Sequence, residues 1–310
     1  MTTQTTMTSP SQEQAEDSYL GQFIPVHYHH NMLQDSARMA AFRSAIDHVV
    51  FPGARVLELG GGTGVLSCFA ARKASKVYCV EFNPDMVTEA RRLLALNPGH
   101  ERVEVIHADA FDYLPPEPVD VVICEMIHVG MLREKQVDVI ESFKQRYAAR
   151  FVEPLPVFVP EVVIMAVQPL EQTYDFHGFH APIVQFQQPG VLHPDVRELA
   201  DPAVYSFMDF RLPVANAIAW EGVVSARQSG WLNSLRFITK NVLAVVEEAS
   251  STIDWLNHYM TLPLRAPVKV RQGDLLRISF AYTAGGAIRS LESSIEVSVV
   301  VPPAIRTDTA

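Results

Sequence analysis

Two glutamates, Glu125 and Glu134, lie nine positions apart in the segment Cys124-Glu125-Met126-Ile127-His128-Val129-Gly130-Met131-Leu132-Arg133-Glu134. Paired carboxylates can grip a planar cation such as a guanidinium through bidentate hydrogen bonds that fix its plane. They can also draw positive charge toward the nitrogens they touch and accept the proton a newly substituted nitrogen sheds. The blander alternatives are two solvated loop acids or a metal pair. No His/Asp cluster surrounds the glutamates, so no metal is expected, and His128 reads as a loop or packing residue.

Such a pair needs a platform. Residues 119–124 read as a buried parallel strand that runs out at Glu125. Upstream, Glu58-Leu59-Gly60-Gly61-Gly62-Thr63-Gly64 joins a strand expected over 55–59 to a helix expected over 65–74. Glycines permit a tight turn and let backbone approach a ligand closely. Three readings fit: a plain glycine turn, a phosphate loop (although no Gly-Lys-Ser/Thr follows), or an S-adenosylmethionine site. In the last, Glu58 orders the loop or the amino-acid end of the cofactor. Glu81 ends the next strand, 76–81, where it can accept both ribose hydroxyls. Asp109-Ala110, after a strand at 103–107, places an acid where an adenine amino group would sit. A dinucleotide dehydrogenase would share the glycines and the second acid.

Residues 19–50 look largely helical, with Met32, Leu33, Met39, Phe42 and Ile46 at helical spacing and a break at Pro25. Further helices are expected over 84–96 and 135–147, and a strand over 158–167. Strands alternating with helices imply a parallel sheet wound by right-handed crossovers. The texture changes near Pro154-Leu155-Pro156. Beyond it, β-branched and aromatic runs at 214–224, 232–239, 260–263, 275–283 and 294–301 suggest a mostly antiparallel β domain. Expected boundaries are a disordered start (1–17), N-terminal helices with a Rossmann-like cofactor domain (18–153), a β-barrel-like domain (154–303) and a frayed tail (304–310).

With 310 residues, 48% of them hydrophobic and 19% charged, the chain can bury a substantial core. Its net charge of -10 argues against a nucleic-acid partner and is compatible with a cationic substrate. Cys68, Cys79 and Cys124 sit in apolar surroundings and read as buried thiols of a reducing compartment. No stretch has the length of a transmembrane helix and the start has no apolar signal core, so a cytoplasmic enzyme without a membrane partner is expected.

Val56-Leu57-Glu58-Leu59-Gly60-Gly61-Gly62-Thr63-Gly64-Val65-Leu66-Ser67, followed by Phe69-Ala70-Ala71, resembles motif I of class I methyltransferases, most closely the protein arginine methyltransferase branch. His29-His30-Asn31-Met32-Leu33-Gln34-Asp35-Ser36-Ala37-Arg38 resembles that family's His-x-x-Met-Leu-x-Asp-x-x-Arg. Tyr19-Leu20-Gly21-Gln22-Phe23 resembles its Tyr-Phe-x-x-Tyr helix, which folds over the cofactor. Glu125 and Glu134 match its double-Glu hairpin, spacing included. The resemblance runs from about Tyr19 to Val301 and thins in the β domain. It implies S-adenosylmethionine as cofactor, with S-adenosylhomocysteine as product. Arg38 would pair with the cofactor carboxylate, Met32 would line the space around the methyl group and Glu81 would hold the ribose. His29, Glu58, Gly60, Gly62, Gly64, Asp109 and Ala110 complete the implied cofactor site. Glu125 and Glu134 would bind the guanidinium, with Glu134 accepting the proton. An arm over about 174–205, containing His177, His180 and His193, would dock on a partner and make a homodimer.

The pattern also breaks. Ile253-Asp254-Trp255 falls where the family carries Thr-His-Trp, so Asp254 replaces a histidine that pairs with the acid corresponding to Asp35. Two carboxylates would then face each other, which is unfavourable unless one is protonated or a cation lies between them. Nearby His258 is a possible substitute for that histidine. Phe23 replaces a tyrosine, and Gln136 stands where some members have a second methionine. Tyr19, Asp35, Asp254 and Trp255 are the implied substrate-side residues. An extra acid at the pocket mouth suits a small substrate with its own ammonium group, which tilts the expectation slightly toward free arginine over arginine in a protein. The competing readings are a catalytically silent cofactor-binding scaffold and a methyltransferase acting on oxygen or carbon.

Overall fold

The computed structural model describes residues 26–152 and 154–300. Tyr19, Phe23 and the expectations for residues 1–17 and 304–310 lie outside the described residues. Helices α1 (Val26–Gln34) and α2 (Ser36–Val49) lead into a Rossmann-like unit. The helical stretch is divided at Asp35. That residue leaves helical geometry at φ -69°, ψ 87°, and its Oδ1 accepts the Arg38 amide at 2.9 Å, capping the first turn of α2.

The Rossmann-like unit contains strands β1 (Arg55–Leu59), β2 (Lys76–Glu81), β3 (Val103–His107), β4 (Val121–Cys124) and β5 (Val157–Val159). They form one sheet in the order β3-β2-β1-β4-β5, every pairing parallel. Helices α3 (Val65–Ala70), α4 (Pro84–Leu94) and α5 (Gln136–Arg150) connect them or flank them in sequence. Asn83 caps α4 and Pro84 opens it, while Met86, Val87, Ala90 and Leu94 form its buried stripe. Along α5, Val137, Ile140, Phe143 and Tyr147 are buried, and the Phe143 ring lies 5.2 Å from Tyr147 and 6.2 Å from Phe158. Each such buried side chain contributes roughly 1.5–3 kcal/mol.

The sheet takes its edge strand from beyond the Pro154-Leu155-Pro156 change of texture. The strand expected over 158–167 is really two: Pro160, which has no N–H to donate, separates β5 from β6 (Val162–Gln172) of a second sheet. That sheet is antiparallel and has seven strands. Around β6 it gathers β9 (Gln185–Gln187), β10 (Val196–Glu198), β11 (Ala203–Asp209), β13 (Gly230–Val246), β14 (Ser251–Leu256) and β15 (Tyr259–Val270). The run expected at 260–263 extends to Val270, but its ladder to β13 skips from Pro263 to Val268, the stretch that contains both prolines of the strand. A three-stranded sheet adds β12 (Ala217–Ser225), β16 (Leu275–Thr283) and β17 (Glu296–Val299). The strand expected over 294–301 shrinks to β17 because Ile288–Ser294 forms helix α6.

The two antiparallel sheets curl against each other over aromatic rings. Phe280 lies 5.0 Å from Tyr205, 5.4 Å from Trp220 and 5.3 Å from Phe237. Residues of both units join one buried core cluster. A small hairpin, β7 (Asp175–Phe176) with β8 (Phe179–His180), stands out from the second unit and exposes Phe179.

The Asp35 cap yields a direct test. Asp35→Ala should destabilise the protein by about 1 kcal/mol in denaturant unfolding, while Asp35→Ser should recover most of that loss.

Candidate active site

Parallel sheets bind ligands at the carboxyl ends of their strands, where loops diverge. Strand β4 pairs with β1 so that Cys124 lies opposite Leu59, which brings Glu125 beside the glycine loop. The two motifs therefore meet. The Cβ that any other residue would place at Gly60, whose φ is +78°, would lie 2.6 Å from Met126 Cε. At Gly62, with φ +51°, a Cβ would lie 3.0 Å from His29 Cε1, so His29 of α1 packs over the loop. Gly64, at φ 79°, caps α3.

Residues 125–134 form an arch between β4 and α5. It turns through left-handed backbone at Gly130 (φ 69°), Met131 (φ 54°) and Arg133 (φ 63°). For the two residues with side chains this costs roughly 1–2 kcal/mol each and persists only where the surroundings enforce it. The enforcing contacts come largely from the β unit. Gly130 N–H donates to Thr239 Oγ1 at 2.7 Å, and Tyr282 Oη donates to the Gly130 carbonyl at 2.9 Å. Gly285 N–H donates to the Met131 carbonyl at 2.7 Å, and Arg133 N–H to the Gly286 carbonyl at 2.8 Å. On the other side, Gln136 Oε1 accepts the Met126 amide at 3.0 Å. Gln136 stands where a methionine was the comparison, yet it is fully buried and its Nε2 lacks a partner among the described residues.

The two glutamates are half-buried and their electrostatics are unusual for solvated loop acids. Burial pushes Glu134 up to about 8, and the Glu125 charge adds to that; Arg38 and Arg133 oppose it. Burial also raises Glu125, against the charge and hydrogen bond of Arg38. Arg38 Nη2 donates to Glu125 Oε2, and its guanidinium lies 5.3 Å from the centroid of the Trp255 ring. Trp255 thus enters the site from β14 and also packs against Phe42 of α2 at 6.0 Å. His128, in the arch, is pulled down to about 4 by burial, and its ring meets Phe186 edge-on at 5.7 Å. It is a neutral packing residue at ordinary pH.

The acids expected around the cofactor occupy strand ends. Glu58 on β1 is buried, accepts the Ser67 amide at 2.8 Å and also bonds the Ser67 hydroxyl, so it ties the loop to α3. Burial raises its pKa to about 8. Glu81 accepts the Gly62 amide at 2.8 Å and the Asn83 amide at 2.8 Å. Asp109 accepts the Phe111 amide at 2.9 Å in the turn after β3, with Ala110 buried beside it. Met32 is half-buried on α1, one turn beyond His29. Arg38 Nε is buried without a partner among the described residues, a donor suited to an amino-acid carboxylate. Glycine cradle, strand-end acids and free guanidinium donor together fit S-adenosylmethionine.

On the substrate side, Asp35 and Asp254 have separate partners, although Asp254 Oδ1 is buried without one among the described residues. Asp35 caps α2. Asp254 Oδ2 pairs with Lys240 Nζ at 2.7 Å, on the strand face opposite Trp255 because side chains alternate along β14. His258 is exposed. Thr239, Tyr282 and Lys240 carried no signal in the sequence, since they belong to β runs more than a hundred residues from the residues they serve or look like ordinary strand positions.

Residues 56–147 match the family described as Methyltransferase domain. An uncharacterized protein of Methanocaldococcus jannaschii is 27% identical over 86% of this chain and 96% of its own length. Protein arginine N-methyltransferase PRMT10 of Arabidopsis thaliana is 35% identical over 46% of this chain, but only 37% of its own length. Two solved structures share the fold. Arabidopsis thaliana protein arginine methyltransferase 10 superposes with a TM-score of 0.69 at 21% identity, covering 86% of this chain and 89% of that one. The Trypanosoma brucei PRMT1 enzyme-prozyme heterotetrameric complex with AdoHcy gives 0.66 at 16%, covering 89% and 98%. Residues 56–147 therefore carry a methyltransferase domain, whose cofactor is S-adenosylmethionine, and the chain shares the two-part fold of the protein arginine methyltransferase structures.

Proposed function

We propose that this methyltransferase acts on a guanidino nitrogen of arginine. The observation that carries the reading is the half-buried Glu125–Glu134 pair, in which Arg38 directly contacts Glu125 and leaves the second carboxylate to a further cation. A guanidinium, protonated up to a pKa above about 12, supplies that cation and matches two carboxylates by shape.

When bound, S-adenosylmethionine supplies a sulfonium methyl already activated for transfer. The Gly60–Gly62 turn, Glu81, Asp109 and Arg38 would hold it. Glu125 and Glu134 would fix the guanidinium plane so that one nitrogen faces the methyl group, a gain from orientation. Their hydrogen bonds draw positive charge away from that nitrogen. Glu134 accepts the proton released once the nitrogen is substituted, a task suited to a carboxylate raised to about 8.

The preference for free arginine rested on Asp254 as an ammonium partner. Lys240 already supplies a cation there, which weakens that support. Arginine in a protein is an equal candidate, supported by the relative named above as a protein arginine N-methyltransferase. Exposed Phe176, Phe179, Ile183 and Leu192 support the reading of the arm as a docking element of a homodimer, with an expected mass near twice 34.5 kDa in light scattering.

Glu125→Gln and Glu134→Gln should each keep cofactor binding in calorimetry while turnover on an arginine substrate falls at least a hundredfold, about 3 kcal/mol in the barrier. Unchanged turnover in both would remove the carboxylates from the chemistry; absence of turnover in the parent on free arginine, arginine peptides and lysate alike would favour a silent scaffold. Labelled cofactor offered separately with those three substrates, followed by mass spectrometry, identifies the acceptor. The ionised Glu134 is the binding form, so kcat/KM should rise with pH through about 8 and flatten above it. Glu134→Gln should abolish that limb.

A further inference from the structure

We propose that Thr239 and Tyr282 are positioning residues for methyl transfer, holding Gly130 from both sides and thereby setting the separation of Glu125 and Glu134. The inference rests on the proposed role of the two glutamates. Gly130 donates to Thr239 Oγ1 at 2.7 Å and accepts from Tyr282 Oη at 2.9 Å. With its proton committed to Gly130, Tyr282 Oη accepts from Tyr205 Oη at 2.9 Å. All three side chains are buried, and burial raises both phenols, which therefore remain protonated donors. The tether thus runs from β11 through β16 to the arch, and from β13 to the same residue.

Neither glutamate has a direct hydrogen bond to the β unit among the described residues. Glu125 leaves β4, Glu134 leads into α5, and the hydrogen bonds of the ten residues spanning them to the β unit run through their backbone. The left-handed turns at Gly130, Met131 and Arg133 give the arch no regular ladder of its own. Gly285, Gly286 and Asn257 hold the neighbouring Met131, Arg133 and Ile127, and Thr239 and Tyr282 are the side chains that grip its middle from both sides, which sets its height and with it the distance between carboxylates. Misplacement of catalytic groups by about 1 Å costs on the order of a hundredfold in rate. Once Glu134 is ionised the carboxylates repel one another, so cutting the tether lets them part.

The repulsion offers a ruler. Glu125 contributes to the upward shift of Glu134, and that contribution shrinks as the two separate. Tyr282→Phe and Thr239→Val should each lower kcat roughly tenfold to a hundredfold on the arginine substrate, with cofactor affinity unchanged. Their rising pH limb should move below about 8, toward the ordinary carboxylate range. Thr239→Ser, which keeps the hydroxyl, should restore both kcat and the limb. The same shift should appear without turnover, in carbon-13 NMR titration of glutamate carboxyls assigned with Glu125→Gln and Glu134→Gln. Folded Tyr282→Phe and Thr239→Val proteins with parental kcat and an unmoved titration would overturn the proposal. So would a parallel loss of cofactor affinity and kcat, or failure of Thr239→Ser to restore the limb. Should the parent methylate no guanidine, the functional reading fails instead, and the NMR titration alone decides whether Thr239 and Tyr282 set the spacing.

Discussion

Two carboxylates buried side by side are stable only with compensation, by a proton or by a cation. Glu125 and Glu134 meet that condition with both. Arg38 pairs with Glu125, and burial favours a proton on Glu134. Arg38 can serve there because three separate elements converge on it. Helix α2 carries it and is started by the Asp35 cap; β4 delivers Glu125; β14 supplies the Trp255 face. An arginine whose guanidinium is partly desolvated gains from a flat aromatic partner as well as from a carboxylate. The charge balance of the site is therefore a reason for the tertiary arrangement, since none of the three elements alone can satisfy it.

The same balance explains why the arch borrows its anchors. A ten-residue connection with three left-handed positions has few backbone bonds of its own, and its ends carry the repelling pair. Thr239, Tyr282, Gly285 and Gly286 satisfy its amides and carbonyls from the β unit. Gln136 does so from α5. The β unit is accordingly a structural part of the methyltransferase site. His128 extends the connection: its neutral ring meets Phe186 of β9, next in sequence to the projecting hairpin. Packing at the arm and packing at the arch thus share a strand.

The parallel sheet was legible from local sequence because its determinants are local. Strands at 55–59, 76–81 and 103–107 are short apolar runs closed by glycine, acid or turn residues, and they appear at those bounds. The glycine loop and the glutamate pair were legible because their spacing is covalent. Contacts that close over large sequence distances were not. Tyr282 reaches Gly130 across 152 positions, and nothing about an isolated tyrosine in a β run announces it. Asp254 shows the opposite failure. Its neighbours in sequence suggested an unpaired acid, whereas Lys240, across the β13–β14 ladder, provides its cation. The expected break at Pro25 lies outside the described residues, and the further division at Asp35 escaped notice because a capping Asp looks like any polar helix residue.

The electrostatic arrangement also bears on which cations the site would favour. A carboxyl raised to about 8 holds its proton at neutral pH, so an incoming cation must displace it. A guanidinium stays charged under all such conditions and brings several coplanar donors, enough to engage both acids at once. An ammonium carries its charge on one compact centre and loses more hydration on entering. It can also relieve a poor fit by giving up its proton when buried, which removes the attraction. A neutral hydroxyl or carbon acceptor gives the pair no charge to balance at all. On the proposed reading, discrimination among acceptors follows from the cost of burying Glu125 and Glu134 together, because only a permanently charged, planar partner offsets that cost at both carboxylates.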